Sequence, residues 1–301
     1  MNSLFHLQIK QKNYFIIDMI NFVYILDELI EKEYNNTMRK NNVVIITGAN
    51  SGIGLATARY LLDKDYKVIG IDKNVTQTDF DIYKCDITNE QEVANVMEEI
   101  YKKESRIDYL INNAGFGISG AIEYTEINNV KKIFEVNVIA LINMCKVVIP
   151  YMRNNGFGRI INISSVAAEI PIPFQACYTS TKSAVLSFSM ALDQEVKDFN
   201  IRVSAVLPGD TKTNFTSARV KDDVEEDKFY KERIVQSIKR MEKDEQGGMS
   251  PTCVSKVMYK VMKKKRPPAM KTVGMSYKFI VLLSKVLPKS VMLFIVKKIY
   301  G

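Results

Sequence analysis

From residue 42 onward the chain alternates between short continuous apolar runs and longer stretches whose apolar residues recur every three to four positions. Val43–Ile46, Lys67–Ile71, Ile82–Cys85, Tyr109–Ile111, Arg159–Ile163 and Ile201–Leu207 belong to the first kind and predict strands, with a last strand expected from Ala269 to Val273. A strand buried on both faces reads as an unbroken apolar run, whereas a half-buried one alternates. Glu90–Tyr101, Ile127–Met152 and Ala176–Val196 carry the 3.6-residue period and predict helices. Strands alternating with helices imply a parallel sheet covered on both faces. No repeat of domain-building length is visible, and no linker divides the body. The pattern therefore predicts an α/β fold, a single doubly wound domain over residues 38–301 with a parallel sheet of about seven strands.

The two ends depart from this pattern. Tyr14–Ile30 is apolar but broken by Asp18, Asn21, Asp27 and Glu28, which fits neither a signal peptide nor a spanning helix. Met38 is followed by Arg39, Lys40 and at once by the first strand, so residues 1–37 read as a dispensable or non-native leader; the alternative is a docked amphipathic helix. Phe279–Val296 is apolar but interrupted by Lys285, Pro288 and Lys289, which predicts two amphipathic helices split at the proline within residues 275–301. They cover the sheet, a substrate pocket or a subunit partner, or they present a cationic surface to anionic lipid as a peripheral membrane contact.

Composition narrows the chemistry. Of 301 residues 47% are hydrophobic and 25% charged, an ordinary globular balance. The net charge of +8 is uneven: residues 251–301 hold 12 Lys or Arg and no acid, while the body is close to neutral. No basic face with a nucleic-acid motif is evident, so nucleic acid is not an expected partner. The single histidine, His6, lies in the leader, which removes Ser-His-Asp catalysis and two-histidine zinc sites from consideration. Cys85, Cys145, Cys177 and Cys253 form no CxxC pair; no metal is expected, and a cytoplasmic setting is the natural one.

After the first strand comes Thr47-Gly48-Ala49-Asn50-Ser51-Gly52-Ile53-Gly54, then a helix. Glycines in GxxxGxG spacing at a strand-to-helix turn suit a dinucleotide: Gly48 permits the tight turn, Gly52 lets a pyrophosphate approach the backbone, and Gly54 lets the helix pack closely. Asp72 ends the second strand, 24 residues after Gly48. A carboxylate there accepts from ribose hydroxyls and repels a 2′-phosphate, favouring NAD(H), although the adjacent Lys73 could pair with a 2′-phosphate and keeps NADP(H) open.

Together with Asp86 in Cys85-Asp86-Ile87, Asn112-Asn113-Ala114-Gly115, Tyr178-Thr179-Ser180-Thr181-Lys182 and Pro208-Gly209, the glycine turn resembles the short-chain dehydrogenase/reductase family, with Ser165 standing 13 residues before Tyr178. The resemblance spans about residues 42–301 and implies a Rossmann-like domain. It implies that Asn50, Ser51 and Ile53 join the glycines at the cofactor, that Asp86 and Ile87 border the adenine, and that Asn112, Asn113, Ala114 and Gly115 line the cleft. Pro208, Gly209 and Thr213 would contact the nicotinamide end. Asn137, in Val136-Asn137-Val138, would hold a water in a proton relay from Lys182. Thr181 replaces the serine often found before the lysine. The short stretch between Asp72 and Asp86 predicts a loop in place of a crossover helix. Homodimers or homotetramers are expected from the resemblance alone.

Tyr178 and Lys182 are four residues apart and share a helix face. A free phenol titrates near pH 10; a neighbouring ammonium is expected to lower it, making Tyr178 the general acid–base, with Ser165 donating to the substrate oxygen and Lys182 also holding the nicotinamide ribose. The expected reaction interconverts a secondary alcohol and a ketone by hydride transfer. Residues 210–250 form the substrate lid by the same resemblance, with Phe215, Phe229 and Tyr230 as apolar candidates for ligand contact. The tail is similar to hydroxysteroid-dehydrogenase-like members, which points to a steroid-like or lipid substrate. The alternatives are a small polar carbonyl such as a sugar or acyl ketone, a cofactor-sensing binding protein, or a membrane adaptor.

Overall fold

The computed structural model describes residues 42–221 and 229–301; the leader, Met38 and His6 lie outside the described residues. Strands β1 (Val43–Thr47), β2 (Lys67–Asp72), β3 (Asp81–Lys84), β4 (Tyr109–Asn112), β6 (Gly158–Ile163), β7 (Ile201–Leu207) and β9 (Met270–Thr272) form one parallel sheet in the order β3-β2-β1-β4-β6-β7-β9. Two short strands, β5 (Ile118–Ser119) and β8 (Val220–Lys221), pair apart from it. The helices are α1 (Gly52–Leu62), α2 (Glu90–Glu104), α3 (Ile127–Phe134), α4 (Ala140–Asn154), α5 (Ala176–Val196), α6 (Lys231–Gln246), α7 (Pro251–Met262), α8 (Met275–Val286) and α9 (Lys289–Tyr300).

The expected α/β architecture and all seven sheet strands are present. β2 leads to β3 without a helix, as the short spacing between Asp72 and Asp86 predicted. Alternate residues of β1 enter opposite layers: Val43 and Ile45 pack with α2, α4 and α5, while Val44 and Ile46 pack with α1 and α7. This double burial explains the unbroken apolar runs. The helical run Ile127–Asn154 is long and apolar enough to cross a membrane by length and composition; its Leu141, Met144, Val148 and Met152 are core residues. It also contains one π-helical turn, Glu135–Ile139, which the periodicity did not reveal.

Because the strands are parallel, the ends of β1, β4, β6 and β7 open on one edge, where the strand order reverses between β1 and β4. Ligands of doubly wound sheets bind at that edge. One buried ion pair fixes the helix that serves it. Asp193 of α5, 1% exposed, accepts from Arg202 Nε and Nη2 at 2.9 Å each and from the Val203 N–H at 2.8 Å, bolting α5 to β7. Removing one partner of such a pair strands the other and the β7 amide. Asp193→Ala is therefore expected to lower unfolding free energy by about 3–5 kcal/mol, read as a lower urea midpoint with unchanged slope.

Candidate active site

The glycine turn is held by its neighbours. Gly48 has φ +66° and Gly52 φ +53°, conformations that disfavour side chains, and a Cβ on Gly54 would lie 2.1 Å from the Gly48 carbonyl oxygen. Gly54 thus makes room for the turn itself. Asn113 Nδ2 donates to the carbonyls of Thr47 (3.0 Å) and Gly48 (3.2 Å), while the Thr47 hydroxyl accepts from the amides of Asn113 (3.0 Å) and Ala114 (3.1 Å). Ser51 caps α1 in extended conformation, and the first-turn amides of that helix face the cleft with the positive end of its dipole. Thr213 stands opposite Gly52, so it closes over the turn rather than only the far end of the cleft.

Two cavities, of about 450 and 610 Å³, share Gly48, Asp72 and Ala114 as walls and form one trench along the sheet edge. The first is bordered by Asp72, Asp86 and Ile87. Asp72 accepts from the amides of Asn50 (3.0 Å) and Asn74 (3.1 Å), and the Asn50 side chain receives the Thr76 hydroxyl. Lys73 pairs with Asp86 at 2.6 Å, which holds that carboxyl below its ordinary range. Lys73 is thereby committed to a carboxylate. Asn112, expected at the cofactor, is instead a buried structural residue, donating to Asn162 Oδ1 at 2.9 Å.

Asn137, Ser165, Tyr178 and Lys182 converge where the second cavity begins. Lys182 is buried and its Nζ donates to the Ile163 carbonyl at the end of β6, at 3.0 Å. Burial alone pulls its pKa down to about 8. Asn137, carried by the π turn, accepts the Phe116 N–H and donates to the Phe116 carbonyl and to Thr181 Oγ1 (3.0, 3.0 and 3.1 Å). It meets Lys182 across Gly115, where a Cβ would come within 2.9 Å of Asn137 Oδ1 and 3.6 Å of Lys182 Nζ. The Thr181 hydroxyl also donates to the Tyr178 carbonyl at 2.7 Å, so this residue links the asparagine to the catalytic helix. Ser165 caps a short 3₁₀ turn by accepting the Ala167 amide (3.1 Å). Its hydroxyl lies close enough to the Tyr178 phenol to lower that phenol's pKa.

One expectation is corrected. Tyr178 does not titrate low in this arrangement: burial, seconded by the Glu245 and Asp210 carboxylates, pushes it up to about 12, against the lowering influence of Ser165 and Arg219. Lys182 Nζ is turned to the Ile163 carbonyl and lies 5.8 Å from the phenol ring centroid, and it does not offset that burial.

Residues from the stretch after β7, from α6 and from α8 line the cavity on its far side. Pro208 and Gly209 follow β7, and the Tyr277 ring lies on Gly209 so closely that a Cβ would sit 2.2 Å from it. Phe215 lines the cavity with its ring 5.7 Å from that of Tyr178. Phe229 is 82% exposed and Tyr230 packs on Tyr124 and Phe174, so neither reaches the cavity wall. Arg219 is buried and paired with Glu245, which also accepts the Thr216 hydroxyl at 2.6 Å. Tyr277 donates to Asp210 at 2.5 Å, and burial raises the Asp210 carboxyl. Asp210, Glu245 and Tyr277 carry no sequence signal of their own; only the fold brings them together at the cavity. Ile170, Ile172, Leu283, Met292 and Val296 add apolar wall, beside the polar side chains of Gln175, Asn214 and Tyr300.

The glycine cradle, the helix terminus, the paired carboxylates and the long trench fit a nicotinamide dinucleotide. Comparisons agree. Residues 42–224 match the family model for short chain dehydrogenases. The chain is similar to a 3-ketodihydrosphingosine reductase of Bacteroides thetaiotaomicron, 37% identical over 77% of this chain and 87% of the relative. It is also similar to a probable short-chain type dehydrogenase/reductase of Helicobacter pylori, 34% identical over 62% of this chain and 72% of that one. Among solved structures it resembles a short-chain dehydrogenase from Streptomyces avermitilis (TM-score 0.75, 26% identity, covering 82% of this chain and 94% of that one). A 3-ketoacyl-(acyl-carrier-protein) reductase from Brucella melitensis complexed with NADH aligns with TM-score 0.66 at 25% identity, over 78% and 97% of the two chains. The trench is thus the site of a nicotinamide-dependent oxidoreductase acting on carbonyls and alcohols, and the chain belongs to the short-chain dehydrogenase/reductase family.

Proposed function

We propose that this enzyme reduces the ketone of a long-chain lipid, with an amine near the carbonyl, and prefers NADH. One observation carries the substrate reading: the cavity that begins at Ser165 and Tyr178 continues between apolar walls supplied by α8 and α9, with Asp210 in its lining and the Glu245 carboxylate already taken by Arg219. Apolar walls suit a hydrocarbon chain, and the Asp210 carboxylate, which has no cationic partner among the described residues, suits an ammonium. The Bacteroides relative, named for a long-chain amino ketone, supports the same class. Of the steroid and lipid classes, the flexible lipid chain is the one we favour; a sugar would leave these walls without a partner.

The residues divide the work as follows. Gly48, Ser51, Gly52, Ile53 and Gly54 would receive the pyrophosphate, Asp72 the adenosine ribose, and Ala114 and Gly115 the floor of the cleft. A bound nicotinamide supplies the hydride. Ser165 donates to the carbonyl oxygen as negative charge grows there. Tyr178, held protonated at neutral pH by its burial, transfers its proton to that oxygen. Lys182, charged below about pH 8, sits where it can bind the nicotinamide ribose and favour return of a proton to the phenolate. The protonated phenol makes reduction the direction the resting site is set for.

Three measurements test this reading. In a panel of ketones assayed with NADH, kcat/KM for a long-chain amino ketone should exceed that for its deaminated analogue by about tenfold or more, and Tyr178→Phe should lower it by about a hundred- to ten-thousandfold. Preferential turnover of sugars would overturn the substrate assignment. Reduction should hold steady below pH 8 and decline above it as Lys182 loses its proton, whereas a rate still climbing toward pH 10 contradicts the assigned roles. Asp72→Ser should weaken NADH binding by about tenfold and bring the NADPH and NADH dissociation constants together, measured by cofactor fluorescence.

A further inference from the structure

The two C-terminal helices have an inner and an outer face. Val281, Met292 and Val296 are buried against Ile170. On the outer side Met275, Phe279, Leu282 and Val286, spaced i, i+4, i+7, i+11, form one stripe along α8 and are 78%, 64%, 60% and 74% exposed. α9 adds exposed Leu293 and Phe294. Isolated exposed apolar residues are normal on a protein surface, but a contiguous stripe marks an interaction face. The same two helices carry Lys278, Lys285, Lys289, Lys297 and Lys298, with no acid anywhere in residues 251–301. Lys298 Nζ lies 5.7 Å from the Phe294 ring centroid, its stem lying along apolar surface with its charge at the edge. Ile280, Ile295 and Ile299 line the cavity and are also exposed, so its apolar end opens between the helices onto this face.

We infer that the outer face of α8 and α9 docks on an anionic lipid bilayer and turns the apolar mouth of the cavity toward it. The stripe enters the acyl boundary and the lysines meet the headgroups, the arrangement of interfacial helices. Charge selects this occupant over a second copy of the chain. A two-fold interface would set the face against itself, lysine against lysine with no acid on either helix. An anionic bilayer supplies the missing charge over the whole face. The inference extends the reductase reading, because a lipid ketone could then pass from bilayer to Tyr178 along apolar wall.

Flotation of the full chain with phosphatidylglycerol-rich vesicles tests it, with phosphatidylcholine vesicles and high salt as comparisons. The chain should float with the anionic vesicles, and binding should fall about tenfold or more on phosphatidylcholine, in high salt, or in the double variant Phe279→Ser, Leu282→Ser. Neither substituted residue lines the cavity, so the variant should keep its melting temperature and its turnover of a water-soluble ketone. Failure of the chain to float, or equal flotation of chain and variant, overturns the inference. If failure comes with a dimer mass by light scattering that the variant loses, the face belongs to a second copy. Flotation is read without substrate, so its failure and failure of the reductase reading are separate results.

Discussion

The site depends on a lysine ammonium buried at the sheet edge. Lys182 is held by the last carbonyl of β6, and its backbone carbonyl in turn receives the Ser164 hydroxyl at 2.7 Å. One turn of α5 earlier stands Tyr178, so anchoring the lysine also fixes the phenol. Holding the lysine there costs on the order of 3 kcal/mol at neutral pH, since its pKa falls from 10.5 to about 8. The sign is that of a depressed base: the cost is complete below pH 8 and disappears as pH rises past the unfolded value. The fold offsets this with the ion pair of Asp193 and Arg202 further along α5 and with the apolar layer beneath it. A helix tied to β7 at Asp193 and to β6 at Lys182 can carry that unfavourable charge.

The sheet was legible because its strands are buried on both faces. Val43 to Ile46 must satisfy two layers at once, which writes a continuous apolar run into the sequence. The edge of the sheet was legible for another reason. Gly48, Asn113 and Ser165 stand just past the ends of β1, β4 and β6, and Tyr178 and Lys182 in the first turns of α5; backbone geometry and chemistry restrict the choice of residue there, and their spacing survives as a pattern. Asp72 and Asp86 belong to the same class. Asn112 shows the limit of such reading: it sits within the motif but spends its amide on Asn162, inside the core.

Elsewhere the determinants are tertiary, and local patterns are silent about them. A helical period continues through the π turn that carries Asn137, because one extra residue shifts the register without changing composition. The Tyr178 phenol was expected to titrate low from its spacing to Lys182, but spacing does not report how much protein surrounds a group. Burial raises one pKa and lowers the other, and both shifts oppose the simple ion-pair picture. Asp210, Glu245 and Tyr277 come from three segments, the turn after β7, α6 and α8, and meet only in the folded cavity.

The arrangement of polarity along the site follows from these parts and constrains how it is used. In the first cavity, Asp72, Asp86 and Glu135 stand with Lys73 and Lys132, a small excess of acid. At the reacting centre, Ser165 and Tyr178 supply neutral hydroxyl donors, which stabilise a developing oxyanion without attracting anions to the site. Beyond them the carboxylates of Asp210 and Glu245 give way to walls of isoleucine, leucine and methionine. An anionic small carbonyl compound would meet the Asp210 carboxylate and then hydrocarbon. Under the proposed function, a ligand with a cationic or neutral polar head and an apolar tail meets a complementary lining: the head turns toward Asp210 and Tyr178, and the tail takes the wall of Leu283, Met292 and Val296. On that reading apolar contact sets the orientation of the ligand, and the hydroxyls of Ser165 and Tyr178 fix the position of its carbonyl.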